Sequence, residues 1–449
     1  MKREAILTRS FFGTDGIRGI ANDVLSAELA MAVGRAAVAV LPAVSPRILI
    51  GRDTRISGPM LESALIAGIS SAGGISIRAE VIPTPALASL VLAEGADAGA
   101  VISASHNPYR DNGIKFFGSS GFKLSDAQEL EMEQFLSGEI SFPPPPTDPG
   151  PVLRLADPVE EYVETLLRRF DLDLSGMRLL VDCAQGATYR STPMALKRLG
   201  AEVTVICDEP DGLNINAGCG STHTELLQAA IRDGGYDAGL AYDGDGDRVI
   251  AVDAEGGVVD GDFILAICGS FLKEAGRLPH DTIVTTVMTN LGFRLAMKEL
   301  GIKVVTADVG DRYVLEEMLA GGFGLGGEQS GHIINLEAGT TGDGLATTLL
   351  LLSVMRATGR PLKELALVMK RLPQRLVNIQ VGDREALNEA AKVWSRVEAE
   401  ESRLGDEGRV LVRPSGTEPV VRVMVEAATV EVCDEVCDNI ARVVRKEMG

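Results

Sequence analysis

Arg178-Leu-Leu-Val-Asp182, with Glu202-Val-Thr-Val-Ile206 some twenty residues on, decides the fold, because the pattern returns at Thr282-Ile-Val-Thr-Thr-Val287 and Lys303-Val-Val-Thr306. Each copy reads as strand, Gly-containing turn, helix, strand. The intervening helices close alike, on Ala195-Leu-Lys-Arg-Leu-Gly200 and Ala296-Met-Lys-Glu-Leu-Gly301, with glycine where a left-handed C-cap is expected. Arg47 to Ile77 follows a looser version of the same plan. Repeated strand–helix–strand units predict an α/β protein of three similar mixed-sheet domains. The last part differs. Val377-Asn-Ile-Gln-Val381, Gly408-Arg-Val-Leu-Val412 and Val420-Val-Arg-Val-Met-Val425 read as strands with helices between and after, a small α+β domain.

Phe142-Pro-Pro-Pro-Pro-Thr-Asp-Pro-Gly-Pro151 supports neither a helix nor a central strand, so it marks a linker. The expected domains are residues 1–150, 151–258, 259–370 and 371–449. The chain of 449 residues is long enough for several cores. Its 43 Lys and Arg against 63 Asp and Glu give a net charge of −20, which argues against nucleic acid or an anionic membrane as partner. An anionic small substrate needs only local cations. Cys183, Cys207, Cys219, Cys268, Cys433 and Cys437 form no C-x-x-C pair and read as reduced thiols of a cytoplasmic protein. Met1-Lys-Arg-Glu leads into a Gly-rich motif with no signal-peptide core. The apolar run from Leu345 to Met355 is too short to span a bilayer and reads as a buried helix.

Four segments carry chemistry. Ile102-Ser-Ala-Ser-His-Asn-Pro108 follows the strand-like run Ala98-Gly-Ala-Val-Ile102 and precedes Gly113-Ile-Lys-Phe-Phe117. A strand end thus presents Ser105 in a tight loop, with His106 beside it and Lys115 on the next strand, a plausible nucleophile site. Taken alone, the loop reads first as an ordinary Ser/Asn/Pro turn, and it is the other motifs of the chain that turn the reading towards a nucleophile. Ala241-Tyr-Asp-Gly-Asp-Gly-Asp-Arg248 alternates Asp243, Asp245 and Asp247 with glycine. Three such carboxylates repel unless a cation sits among them, and carboxylate-only ligands favour Mg²⁺ or another hard cation. An EF-hand is excluded, since its Gly and Glu positions hold Arg248 and Ala254.

Gly322-Phe-Gly-Leu-Gly-Gly327 matches G-x-G-x-x-G but follows a helix-like run, which excludes a dinucleotide site. Behind it, Gly327-Glu-Gln-Ser-Gly-His332 offers Glu328, Ser330 and His332, suited to sugar hydroxyls. Arg413-Pro-Ser-Gly-Thr-Glu-Pro419 offers Arg413, Ser415, Gly416 and Thr417 between two strands, with Arg422 following, a donor set suited to phosphate. Phe12-Gly-Thr-Asp-Gly-Ile-Arg-Gly19 adds Arg18, a fork that can hold an anion. Together these predict phosphoryl transfer on a phosphorylated polyol, in a cleft where the domains meet.

In this order and over nearly the whole chain, these motifs resemble the α-D-phosphohexomutase superfamily. The pairing of Phe12–Gly19 with Gly327–His332 is most similar to its bacterial members that interconvert glucosamine 6-phosphate and glucosamine 1-phosphate, towards UDP-N-acetylglucosamine. The resemblance implies three related α/β domains and a TATA-box-binding-like fourth around a central cleft. It implies Ser105 as a phosphoserine; Asp243, Asp245, Asp247 and the phosphoserine as ligands of one Mg²⁺; and Arg248 beside the transferring phosphate. His106 and Lys115 would move protons. Glu328, Ser330 and His332 would hold the sugar, and Arg413, Ser415, Gly416, Thr417 and Arg422 the distal phosphate, with Arg18 lining the same cleft. A sugar bisphosphate would be activator and intermediate, the substrate a phosphorylated amino sugar, and a homodimer is a family expectation. The rivals are the same mechanism on mannose or glucose phosphate, a serine phosphohydrolase, and a non-catalytic sugar-phosphate sensor.

Overall fold

The structure is a computed structural model and describes residues 11–13, 15–415 and 419–449. It divides into two compact units. One comprises the chain to Met288 with Ile302–Val368, the other Thr289–Gly301 with Met369–Gly449.

The first unit holds three mixed sheets. The largest runs in the order Phe12–Gly13, Gly16–Ile20, Asp111–Gly118, Ala98–Ile102, Arg47–Arg52, Ile75–Val81, Val152–Arg154. Its central strands pair in parallel, while Asp111–Gly118 returns antiparallel to Ala98–Ile102. The central strands are short, nearly continuous apolar runs buried on both faces, and successive side chains alternate between those faces. Ile48, Ile50, Ala98, Ala100, Ile102, Ile114 and Phe116 fall on one face and pack with Val33, Ala37, Leu61, Leu65 and Ile69 of two helices, Ala27–Val40 and Gly58–Ser71. Ser26 caps the first of these, accepting from the Leu29 N–H.

The sheet continues past the expected boundary at residue 150. After the proline run, Val152–Arg154 adds as a parallel edge strand beside Ile75–Val81, because the extended backbone that prolines impose suits an edge. The second sheet runs Val258–Val259, Val249–Asp253, Ala238–Tyr242, Arg178–Asp182, Glu202–Ile206, and the third Lys303–Ala307, Thr282–Thr286, Leu325–Gly327, Ile333–Asn335.

The three strand–helix–strand units of the sequence are present, and in each the two strands are parallel neighbours: Arg47–Arg52 with Ile75–Val81, Arg178–Asp182 with Glu202–Ile206, and Thr282–Thr286 with Lys303–Ala307. Gly200 and Gly301, at φ +92° and +66°, take the left-handed conformation after their helices. Leu325–Gly327 is a strand, where the sequence showed only a glycine-rich loop. It is three residues long, below what period-two patterning reveals. The apolar run near Leu345 is the buried helix Gly344–Thr358, and among the described residues no helix is long and apolar enough to cross a membrane.

The second unit is a three-stranded antiparallel sheet, Gln374–Gln380, Val420–Glu426, Arg409–Pro414 in that order, with helices Ala391–Leu404 and Val430–Met448. Val421, Val423 and Val425 pack on Cys433, Val436, Cys437 and Ile440, so both cysteines lie on the buried face of one helix as unpaired thiols. This unit also takes in residues 289–301. Glu426, wholly buried, accepts from Asn290 Nδ2 at 3.1 Å and from the Leu291 N–H at 2.9 Å. Asn290 also bonds Leu372, which ties the segment to the small sheet.

The helices Ala27–Val40 and Gly58–Ser71 approach each other through glycine. A Cβ on Gly68 would lie 2.0 Å from the Met31 carbonyl oxygen, and one on Gly34 2.3 Å from that of Leu65. Gly68→Ala should therefore destabilise the chain by about 1–3 kcal/mol, since backbone must move to admit the methyl. Chemical denaturation followed by circular dichroism reads this; an unchanged midpoint would mean the helices pack less closely.

Candidate active site

Ser105 sits three residues beyond the end of strand Ala98–Ile102, wholly buried and at φ +50°, a left-handed conformation that costs a serine. The twist carries its Oγ to the second sheet, where it donates to Asp243 Oδ2 at 2.6 Å. His106 Nδ1 lies 3.3 Å from the same Oγ and 2.8 Å from Arg248 Nη1. The sequence placed these residues 138 positions apart; the fold makes them neighbours.

Asp243, Asp245 and Asp247 lie on the connection between the antiparallel strands Ala238–Tyr242 and Val249–Asp253. Each offers an oxygen within 4.8 Å of the others. All three are buried. Burial, reinforced by Asp247 and Asp245, pushes the Asp243 carboxyl well above the usual carboxylate range. Burial opposes ionisation of Asp247 as well, but His332, Lys115 and Arg248 outweigh it and hold its carboxyl low. The raised carboxyl is what like charges crowded together produce, and the lowered one shows where the nearby cations act. Asp245 Oδ1 and Asp247 Oδ1 are buried and accept no hydrogen bond. Unsatisfied carboxylate oxygens beside one another, with no nitrogen or sulfur donor in the set, fit a hard divalent cation.

Lys115, on strand Asp111–Gly118, is buried against the same acids. Its Nζ lies 3.0 Å from Asp15 Oδ2, 3.2 Å from Asp245 Oδ2 and 4.0 Å from Asp247 Oδ2. Burial disfavours the ammonium, yet Asp15, Asp245 and Asp247 more than compensate and raise its pKa. His106 shifts the other way. Burial and then the Arg248 guanidinium bring it to about 4, so the imidazole is neutral at physiological pH.

Glu328 and His332 face this group from the third sheet. His332 Nδ1 is 3.5 Å from Asp247, its Nε2 3.6 Å from Asp311, and these acids with Glu328 raise its pKa against burial. Glu328 Oε1 accepts from the Gly310 N–H at 3.2 Å. A cavity of about 540 Å³ opens here, bounded by Asp15, Arg18, Asp247, Arg248, Glu328 and His332 among others. Ser330 is exposed in the turn between Glu328 and His332. Arg18 lines the cavity and pairs with Asp15.

In the second unit, Arg413 and Arg422 stand directly opposite each other on neighbouring strands, and burial and then Arg422 lower the Arg413 pKa. Ser415 is buried, its N–H on the Val420 carbonyl. Gly416 and Thr417 lie outside the described residues.

Several site residues carried no sequence signal strong enough to single them out. Asp15 and Asp311 are bridged by Lys123, whose Nζ is 2.6 Å from each. Thr84 donates to Asp245 Oδ2 at 2.7 Å. These contacts span up to 188 positions, and only the fold brings them together. Asp15 did stand in the quoted Phe12–Gly19 motif, beside the arginine that drew the attention.

The chain matches family models in four consecutive segments: the alpha/beta/alpha domains I, II and III of phosphoglucomutase/phosphomannomutase over residues 9–141, 160–257 and 260–372, and the C-terminal domain over 376–443. It is 53% identical over 439 residues to the phosphoglucosamine mutase of Desulforudis audaxviator, covering 97% of this chain and 98% of that protein. A solved phosphoglucomutase/phosphomannomutase family protein from Burkholderia thailandensis superposes with a TM-score of 0.82 at 24% identity, covering 98% of each chain. The Aspergillus fumigatus N-acetylphosphoglucosamine mutase, solved in complex with GlcNAc-6P and magnesium, superposes with a TM-score of 0.69 at 19% identity, over 98% of this chain and 96% of that one. With all four segments matched in order, the chain belongs to the phosphoglucomutase/phosphomannomutase family.

Proposed function

We propose that this chain interconverts glucosamine 6-phosphate and glucosamine 1-phosphate, a cytoplasmic isomerase reaction in which Ser105 carries the phosphoryl group. The observation that carries the reading is the Ser105 hydroxyl held 2.6 Å from Asp243 and 3.3 Å from His106, which Arg248 bonds in turn, with Asp247 and Arg248 lining a sugar-sized cavity. The sugar is supported by the activity named for the 53%-identical relative.

The step begins with phosphorylated Ser105. The free hydroxyl oxygen of the sugar phosphate bonds to phosphorus as the Ser105 Oγ–P bond breaks, giving a bisphosphate. The hydroxyl proton leaves to a base, the role assigned to His106, neutral and 3.3 Å from Oγ, and the departing Ser105 Oγ takes up a proton, for which Lys115, held as an ammonium, is the assigned donor. The bisphosphate turns over, and its other phosphate returns to Ser105, so no phosphate is lost. Arg248 and Lys115 bring positive charge to the phosphoryl oxygens in a buried setting, where each unit of charge counts for more. Mg²⁺ held by Asp243, Asp245 and Asp247 with a Ser105 phosphoryl oxygen would supply further charge neutralisation. Glu328, Ser330 and His332 are assigned to the sugar, with Arg18 along the same wall. Arg413, Ser415, Gly416, Thr417 and Arg422 are assigned to the phosphate that is not reacting.

Ser105→Ala should abolish turnover while leaving the melting temperature near that of the parent; retained activity sinks the assignment. Mg²⁺ should raise the melting temperature of the parent, because it relieves three crowded carboxylates in the folded state alone. Asp245→Ala should lose that rise together with activity, and a full Mg²⁺ response in the variant would place the cation elsewhere. The sugar is decided by offering the Mg²⁺-loaded protein, primed with a trace of bisphosphate, glucosamine 1-phosphate, glucose 1-phosphate and mannose 1-phosphate in turn. Fastest conversion of the glucosamine compound is expected. Faster glucose or mannose conversion changes the substrate alone, whereas free phosphate as main product makes the protein a hydrolase.

A further inference from the structure

Beneath the Ser105 loop lies a side chain for which the reaction above has no use. Arg55 is wholly buried, one of the largest side chains to be so among the described residues. Its guanidinium spends its donors almost entirely on one short run of backbone. Nη2 donates to the carbonyl oxygens of Ser105 and Asn107, each at 2.9 Å, and Nη1 donates to that of Pro108. Nε donates to Asp53 Oδ2 at 2.8 Å. Asp53 in turn accepts from Ser103 Oγ at 2.6 Å, and Ser103 Oγ accepts from the Ser105 N–H at 3.0 Å. From the second sheet's side, Asn216 Nδ2 donates to the same two carbonyls, Ser105 at 2.9 Å and Asn107 at 3.1 Å.

We propose that Arg55, with Asn216 opposite, is the positioning residue of the nucleophile: it gathers the carbonyls of residues 105, 107 and 108 inward and so holds Ser105 in its left-handed backbone with Oγ turned to Asp243. This rests on Ser105 being the phosphoryl carrier. A left-handed serine relaxes unless its surroundings over-determine it. Three carbonyls fastened to one rigid plane supply that constraint, and when the carbonyls point inward the side chain of Ser105 faces out. Only arginine can do this. Its five N–H groups are fixed in a planar fork, whereas a lysine ammonium has three donors on a flexible stem and cannot span three carbonyls in that geometry. Arg55 does not touch the reacting atoms, and its effect reaches them through the position of Oγ.

The test uses the full chain carrying Arg55→Lys, which keeps the buried charge beside Asp53. With Mg²⁺ and bisphosphate present, kcat for glucosamine 1-phosphate should fall about 10²-fold, the cost of a misplacement near 1 Å. KM should stay within about twofold, since the sugar-holding residues are untouched. A merely structural role would lower the active fraction and the melting temperature together; here the melting response to Mg²⁺ should persist. A kcat near that of the parent overturns the proposal. Should Arg55→Lys not fold, Asn216→Ala removes the second donor to the same carbonyls. A lower kcat at unchanged KM then supports the clamp, and an unchanged kcat overturns it. Amide exchange across residues 104–108 is read on the same proteins. Unchanged exchange in the variant overturns the clamp whatever the sugar. Faster exchange, beside a parent that converts no hexose phosphate, leaves the clamp standing and sinks the functional reading instead.

Discussion

Burying Asp243, Asp245 and Asp247 side by side is the constraint on which the rest of the site depends. Three carboxylates within 4.8 Å in a poorly solvated place repel strongly, and the protein answers with every nearby cation it has. Lys115 reaches Asp245 and Asp247 from the first sheet, Arg248 leans over Asp247, and His332 approaches from the third. These are also the groups that a transferring phosphoryl would need around it. The charges that make the acidic loop tolerable and those that would stabilise the reaction are therefore one set. Each sheet must contribute, which explains why the Ser105 loop, the acidic connection and the Glu328–His332 turn converge although they are far apart in the chain.

The same constraint fixes the loop geometry. Ser105 meets Asp243 with its backbone turned left-handed, a conformation that needs the loop below it pinned, and the buried Asp53–Arg55 pair does this. Burial pushes the Asp53 carboxyl up despite Arg55, so the pair sits there at some cost. A buried ion pair is a poor way to gain stability, since desolvation consumes most of the attraction. Its retention beneath a nucleophile is better explained by the geometry it enforces.

Much of this was legible in the sequence, for physical reasons that differ by element. The strands at Ala98–Ile102 and Arg178–Asp182 are short, apolar and bounded by turns, which is how buried strands read, and the structure gives those same bounds. The three aspartates could be read as a cation site because alternating acids and glycines have few other uses. Leu325–Gly327 was not legible, being too short for a period. The edge strand Val152–Arg154 was hidden behind prolines that announce a linker, and such prolines permit an edge. Arg55 was out of reach for another reason. In Arg52-Asp-Thr-Arg55 it looks like one charge in a solvated loop, and nothing local says that the loop is buried or that its partners lie about fifty residues on. Lys123, between Asp15 and Asp311, was hidden in the same way.

A chain of net charge −20 that receives an anionic sugar phosphate is a paradox only if the charges are summed. Beyond about 10 Å, salt screens most of what the acidic surface contributes, so the field at the site is set by near neighbours. The acids of the cavity are each already met by a cation or a hydrogen bond, as Asp311 is by Lys123 and Glu328 by the Gly310 N–H. The small sheet, taken by itself, obeys the same rule: burial and then the facing Arg422 lower the pKa of Arg413, so there too the immediate surroundings and not the net charge set the local electrostatics.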